Sequence, residues 1–134
     1  MSNAVAAFGT KFSWNTHEVA ELTNIEGPTQ TMDTIDVTSH DSADAFKEFI
    51  AGLRDGGDIS IEGNFIHGDT NGQIAMNSDF QTGTKRVWTI TGPSSHPSIA
   101  GNGYITALSK TFPYADKIGF KATVKITGKP TVTA

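Results

Sequence analysis

Residues 33 to 65 read DTIDVTSHDSADAFKEFIAGLRDGGDISIEGNF, and this stretch carries most of the fold information in the chain. It predicts a strand from about Met32 to Thr38, then a helix, a turn at Gly56-Gly57, and a second strand that ends near Phe65. Asp41 or Ser42 can cap the helix at its start. Four apolar residues at the i, i+3, i+4, i+7 spacing form its predicted packing face: Phe46, Phe49, Ile50 and Leu53.

Alternation of apolar and polar residues predicts two half-buried strands. One contains Ile118, Phe120, Ala122, Val124 and Ile126, and the other contains Ile59 and Ile61. Further strands are expected at about residues 9–14, 18–25, 86–91 and 104–112, and a weaker helix at about 72–80, closed near Gly83. The sequence therefore predicts a mostly β fold: a β-sandwich or partly closed barrel of about seven to eight strands with one flanking α-helix.

The length of 134 residues suits a single domain, which we expect to span residues 1–134, with a flexible arm at about 1–8 and another at about 128–134. The chain has no cysteine, which excludes disulfides, thiolate metal sites and cysteine nucleophiles. The N-terminal segment MSNAVAAFGT lacks the basic and apolar regions of a signal peptide, so we expect the protein to be made in the cytoplasm and kept there or released by lysis. No stretch approaches the roughly 18 apolar residues of a membrane span.

The charge is unevenly distributed along the chain. The formal net charge is −4, which argues against tight binding of nucleic-acid phosphates. Residues 1–67 contain 11 acids and three bases, a balance of −8, whereas residues 68–134 contain seven bases and three acids, a balance of +4. Two interpretations stay open: unlike faces that suit head-to-tail association, or interleaved strands whose charges neutralise each other within the fold.

Candidate catalytic and metal-binding groups are few. The run Ser39-His40-Asp41 has the residue types of a hydrolase triad, but consecutive residues of an extended chain point to opposite faces and cannot form the relay. We interpret Ser39, His40, Asp41 and Ser42 as a strand-to-helix junction. The histidines lack metal-ligand spacing, and Gly56-Gly57 follows a predicted helix instead of preceding one. We expect no enzymatic activity, no metal and no cofactor.

A row of lysines near the C-terminus is the remaining charged feature: Lys117, Lys121, Lys125 and Lys129. It could lie against a nucleic-acid backbone, but no aromatic residues are interleaved on the same face. Guarding a strand edge, or pairing with acidic neighbours, is the favoured interpretation.

The stretch from Asp33 to Phe65 resembles the tail tube proteins of long-tailed bacteriophages, in the group of lambda-like and related siphophage tubes. In that group a strand close to D-x-I-D-V-T-S-H-D-S leads into a helix and then into an L-x-D-G-G strand that ends in phenylalanine. The matching residues here are Asp33, Ile35, Asp36, Val37, Thr38, Ser39, His40, Asp41, Ser42, Leu53, Asp55, Gly56, Gly57 and Phe65. The C-terminal GFKATVKITGKPTV, residues 119–132, is similar to the closing strand of the group.

The resemblance implies a structural virion protein, assembled in the host cytoplasm, that forms hexameric rings stacked head to tail. The inner sheets of such rings join into a β-barrel around a lumen, and the tube conducts the genome into the host. It also implies tape-measure, tail initiator and terminator proteins as partners, and DNA that passes through the lumen without specific binding. The helix face would pack on its own sandwich or on a neighbouring subunit, and exposed loops are candidate ring contacts: Gly27, Pro28, Gly92, Pro93, His96 and Pro97.

Two alternative functions are also open to a chain with this sequence. A tube protein of a contractile injection or type VI secretion machine is similar in fold. A β-sandwich carbohydrate-binding module belongs to a different class and would show exposed aromatics in a row, whereas Trp14, Trp88, Tyr104 and Tyr114 are scattered along the sequence.

Overall fold

The computed structural model describes residues 8–93 and 98–133. Within them, nine strands and one α-helix follow one another along the chain. Their bounds are β1 (Lys11–Trp14), β2 (His17–Glu18), β3 (Leu22–Glu26), β4 (Thr31–Asp36), β5 (Phe49–Asp55), β6 (Asp58–Asn64), α1 (Gln73–Thr82), β7 (Arg86–Thr91), β8 (Ser98–Thr111) and β9 (Gly119–Thr133), with a short 3-10 helix at Ala43–Ala45.

Seven of the strands form one antiparallel sheet in the order β2-β1-β7-β8-β9-β6-β3. The sheet curls on itself, because residues from opposite ends of it, such as Trp14 and Ile61, belong to the same buried core. Two register shifts between β8 and β9, at 100–102 and 105–107, provide the local irregularity that bends long strands. This curled half-barrel confirms the mostly β prediction.

The two strands predicted from alternation are confirmed. Ile59 and Ile61 of β6 point into the core, as do the apolar residues of β9 from Phe120 to Ile126. The strand prediction for 86–91 matches β7, while the strand expected at 104–112 begins earlier, at Ser98. The alternation of apolar and polar residues predicts these strands correctly because the sheet has one face on the core and one in solvent.

The α-helix of the structure is α1, at the position of the weaker of the two predicted helices. It ends at Gly83, whose left-handed backbone (φ +67°) lets its N–H bond to the Asp79 carbonyl. Polar residues, together with Met76 in the core, attach it to the sheet in place of an apolar stripe. Asp79 is buried and accepts hydrogen bonds from the Trp14 indole N–H at 2.7 Å and from Arg86 Nε at 3.2 Å.

The first turn of α1 is fixed by the buried amide of Gln73. Its Nε2 donates to the carbonyls of Asn64 at 2.8 Å and Ala20 at 3.2 Å, and its Oε1 accepts from Ile66 N–H at 3.0 Å. Such an amide is fully used, so its burial carries no desolvation penalty from an unpaired group. It holds α1 against the ends of β3 and β6.

The prediction of a helix from about residue 41 to residue 53 is wrong. Residues 43–45 form only one 3-10 turn, and Phe49–Asp55 is a strand that pairs with β4. The predicted helix face of Phe46, Phe49, Ile50 and Leu53 therefore lies on a hairpin, and Ser39 to Ser42 lead into a turn. The physical reason is that this segment forms backbone hydrogen bonds with β4, a partner that the short apolar spacing could not reveal.

The C-terminal arm predicted for residues 128–134 also differs from the structure. Up to Thr133 these residues belong to β9, where Ala100 faces Thr131 and Ser98 faces Thr133. Pairing with the first half of β8 satisfies their backbone groups. Residues 1–7 of the predicted N-terminal arm lie outside the described residues.

Candidate functional site: an exposed apolar arm

Strands β4 and β5 form a two-stranded sheet separate from the curled sheet. Residues 31–55, which comprise these strands and their connection, are called the arm below. A lone pair of strands is marginal in water, and its outer edges carry unpaired N–H and C=O groups. No strand of residues 8–93 or 98–133 pairs with the outer edge of β4 or of β5. Within its own subunit, the arm thus keeps two unpaired strand edges along the described residues.

The register of the arm distributes apolar groups over both of its faces. Ile35 lies opposite Ile50, and the next pair along the ladder, which points to the other face, is Asp36 with Phe49. A bulge lies where Asp33 faces Leu53 and Gly52. A β-carbon on Gly52 would come within 2.9 Å of the Asp33 carbonyl, so glycine allows the two strands to approach there.

Large apolar side chains of the arm are exposed to solvent. Leu53 is 85% exposed, Phe46 is 72% exposed, and the Ile35–Ile50 pair is about half exposed. The others are Met32, Val37 and Phe49. A concentration of exposed apolar side chains on one element marks an interaction surface, in contrast to single exposed apolar residues, which are ordinary.

Polar hydrogen bonds close the tip of the arm. Ser42 Oγ donates to Glu48 Oε2 at 2.7 Å and accepts from Ser39 N–H at 3.0 Å. The Thr38 hydroxyl accepts from Glu48 N–H at 2.7 Å, which prolongs the β4–β5 ladder. Ser39, His40 and Asp41 are all exposed in this tip. Ser39 and Ser42 thus shape a turn, as side chains of this type commonly do.

The base of the arm is tied to β9 by an ion pair. Lys125 Nζ lies 2.9 Å from Asp55 Oδ1 and 3.8 Å from Asp58 Oδ1. The turn beside it contains Gly57, at φ +81°, whose N–H donates to Asp55 at 2.9 Å and whose carbonyl accepts from Ile126 N–H at 3.0 Å. These bonds fix where the arm leaves the body of the subunit.

Three groups of the arm and its base have shifted pKa values. The Gly57 N–H, and after it the Lys125 ammonium, lower the pKa of Asp55 below its ordinary value of 3.8. The Asp55 carboxylate raises the pKa of Lys125. Hydrogen bonds from Thr38 lower the pKa of Asp36 in the same way. All three groups are thus held in their charged forms.

Two lysines of the row lie opposite acids across the β6–β9 ladder. Lys121 faces Glu62, and Lys125 faces Asp58. Opposite charges directly across an antiparallel pair stabilise the sheet. Strands from the acidic and the basic half of the chain therefore interleave here, which supports charge neutralisation within the fold.

The second half of β8 has an open edge. Strand β7 pairs with β8 only from residue 98 to residue 103, and among the described residues no strand continues that pairing along 104–111. At the far end of this edge, α1 and β8 enclose a cleft of about 250 Å³, called the α1–β8 cleft below. Its apolar lining consists of Phe65, Ile74, Leu108, Phe112 and Phe120.

The structure describes four of the six predicted ring-contact residues, and these four lie in two places. Gly27 and Pro28 precede the arm, and Gly27 (φ +106°) lies against the Asp58 carbonyl. Gly92 is buried and Pro93 is partly exposed, while His96 and Pro97 lie outside the described residues. The structure brings neither pair into the arm, and their role in ring contacts stays a prediction.

Sequence reasoning missed the β4 half of the apolar surface and the α1–β8 cleft. Met32, Ile35 and Val37 belong to a strand that was predicted, but their exposure was not. The sequence did contain an indication of this exposure. These apolar residues occupy both even and odd positions of one short strand, so they cannot all face a single core.

The described part of the chain contains neither a metal-binding cluster nor a membrane-spanning helix. Among residues 8–93 and 98–133, no group of three or more histidine, aspartate or glutamate side chains is placed to hold a metal ion. The α-helix found in this part of the chain is too short and too polar to cross a membrane.

The chain matches the family of the lambda phage tail tube protein over residues 4–133. No curated protein matches it in sequence. Among solved structures, a chain from the virion of a native gene transfer agent particle is similar, with a TM-score of 0.80 and 19% identity, over 98% of this chain and 100% of that one. A chain from the tail of an empty gene transfer agent particle, refined with C6 symmetry, has a TM-score of 0.71 and 22% identity, over 88% and 86%.

A chain from the sheath–tube complex of an extracellular contractile injection system has the same fold. Its TM-score is 0.75 at 14% identity, over 99% of this chain and 93% of that one. Because the family match spans nearly the whole sequence, the class of protein is settled: a structural component of a phage-like tail. The chain belongs to the lambda phage tail tube protein family.

Proposed function

We propose that this chain polymerises through its arm into hexameric rings, which stack head to tail to form the conduit for genome ejection. The observation that carries the proposal is the arm: a two-stranded ribbon with exposed apolar residues on both faces and two unpaired edges. Burying such a ribbon against a second copy removes apolar surface from water and satisfies its open backbone groups. The C6 symmetry of the gene transfer agent tail supports the ring size.

The open edge of β8 is the matching surface on the neighbouring copy. Residues 104–111 span about 26 Å, and the six residues of β4 span about 20 Å, at roughly 3.3 Å per residue. Strand addition at this edge would join the sheets of adjacent subunits, as sheet-edge recognition does elsewhere. Repeated six times, it would close a ring in which the arm of each subunit covers the β8 edge of the next.

A conduit for DNA must not retain phosphates. Lys121 and Lys125 lie opposite Glu62 and Asp58 of β6, which offsets their charge on that face of the sheet, and the net charge of the chain is −4. We therefore expect DNA to pass without specific binding. A scaffold role without catalysis accords with the turn-forming roles of Ser39 and Ser42, and tape-measure, initiator and terminator proteins are the further partners we propose.

Electron microscopy of the purified chain after concentration tests the proposal, with the double variant Ile35→Asp/Ile50→Asp beside the wild type. We expect rings or tubes from the wild type and only monomers from the double variant, since two buried, unpaired carboxylates are not tolerated at an interface. The matched control, Ile35→Val/Ile50→Val, should still assemble. A wild type that stays monomeric at every concentration, or a charged variant that assembles normally, would contradict the proposal.

A further inference from the structure

The α1–β8 cleft is suited to an aromatic side chain. Three phenylalanines, Phe65, Phe112 and Phe120, contribute to its lining, together with Ile74 and Leu108. Aromatic rings favour offset or edge-to-face packing against one another, beyond the burial of their area. The charged residue in the lining is Lys110, whose ammonium lies 4.6 Å from the centre of the Phe65 ring. The cleft thus combines an apolar floor with one positive charge.

The tip of the arm has the complementary chemistry. Phe46 is 72% exposed and follows the 3-10 turn, where its N–H donates to the Ala43 carbonyl at 3.1 Å. Asp44 and Ala45 take up left-handed backbone (φ +55° and +61°), a conformation that makes the turn tight. Residues 41–48 contain three acids and one base, a net charge of −2. An exposed aromatic side chain in an acidic setting matches an apolar cleft with a lysine.

We infer that Phe46 of one copy enters the α1–β8 cleft of an adjacent copy, with the acids of the tip facing Lys110. The inference rests on the tube assembly proposed above and gives it a specific anchor. Leu108 and Lys110 belong to both the cleft and the open edge of β8, so an arm that lies along that edge with its tip toward Thr111 brings Phe46 to the cleft. A buried aromatic anchor at the centre of an apolar pocket is a typical source of interface affinity.

The test uses a cysteine pair, because the natural chain has no cysteine. Lys47→Cys lies beside Phe46 on the tip, and Asn77→Cys lies at the cleft, where Asn77 is exposed and lines it. This pair leaves Phe46 in place. After assembly and mild oxidation, we expect covalent species of two or more chains on a non-reducing gel. The matched control joins Lys47→Cys to Ser78→Cys, the next exposed residue of α1, which does not line the cleft.

The outcomes separate this inference from the proposed function. Rings or tubes that form without cross-linking at residue 77, or that cross-link equally at 77 and 78, overturn the inference alone. A disulfide within one chain also overturns the inference, because Phe46 would then lie in the cleft of its own subunit. A wild type that does not assemble overturns both. In a second measurement, Phe46→Ala should raise the concentration needed for assembly at least about tenfold, whereas Lys47→Ala should not.

Discussion

Lys125 of β9 bonds to Asp55, the last residue of the arm, with 2.9 Å between Nζ and Oδ1. The same ammonium lies 3.8 Å from Asp58, the first residue of β6. Lys125 therefore joins the point where the arm ends to the point where the body of the subunit resumes. Since the pair is exposed, we expect it to direct the arm more than to stabilise the fold.

The pH dependence of this junction follows from the lowered pKa of Asp55. A carboxyl whose pKa is lower in the folded than in the unfolded state stabilises the fold above its unfolded value, and that contribution is lost as the pH falls through the folded value. We expect the Asp55 carboxyl to titrate below 3.8, with loosening of the arm base in that acidic range. A carbon-13 NMR titration of the carboxyl measures this.

The variant Lys125→Met separates the two causes of the shift. The Asp55 pKa should rise in the variant yet stay below 3.8, because the Gly57 N–H remains and is the larger cause. An unchanged midpoint in Lys125→Met would show that the ion pair does not form in solution.

The two tryptophans of the core give a second prediction. Trp14→Phe removes the donor to buried Asp79, whereas the Trp88 indole N–H is buried and has no acceptor among the described residues. Both rings are fully buried, so the loss of packing is comparable. We expect the free energy of unfolding to fall by about 1–3 kcal/mol more for Trp14→Phe than for Trp88→Phe. Urea denaturation of the monomer measures both, and equal losses would contradict the hydrogen-bond assignment.

Two glycines with left-handed backbone allow the cost of backbone strain to be compared with and without a steric overlap. Gly83→Ala adds a β-carbon in open space, so only the conformation costs free energy, about 1–2 kcal/mol. Gly57→Ala adds the same cost and a direct overlap with the Thr29 carbonyl. We expect a clearly larger loss of thermal stability for Gly57→Ala. If the two variants melt alike, the turn between β5 and β6 is looser than the structure shows.

The arm should contribute to assembly and little to the stability of the monomer. Leu53 is 85% exposed, so Leu53→Ser should change the free energy of unfolding by no more than about 0.5 kcal/mol while it weakens assembly. Ile61→Ala, in the core, should cost about 2–5 kcal/mol. Denaturation and sedimentation velocity report the two effects. A large loss of monomer stability in Leu53→Ser would mean that the arm packs on its own subunit.

The body of the fold could be predicted because its strands have one buried face. Ile59 and Ile61, like Phe120 and Val124, alternate with polar residues, and the pattern records burial within the same chain. The sequence pattern predicted α1 only weakly. Polar groups such as Gln73 and Asp79 help to fix this helix, and no apolar stripe marks it in the sequence. Two of their partners, Ala20 and Trp14, lie 53 and 65 residues away in sequence, where no local pattern reaches.

By itself, the sequence determined the mostly β class, the glycine turn at 56–57 and the resemblance of the 33–65 stretch to the tail tube family. Only the tertiary structure decided that this stretch forms an exposed hairpin instead of a helix, that β8 has an open edge, and that a cleft lies beside it. The physical reason is that local periodicity reports which side chains a chain buries in itself. The apolar residues of the arm are left exposed by their own subunit, so their spacing does not report burial within one chain. Read as a burial pattern, that spacing predicted a helix that does not form.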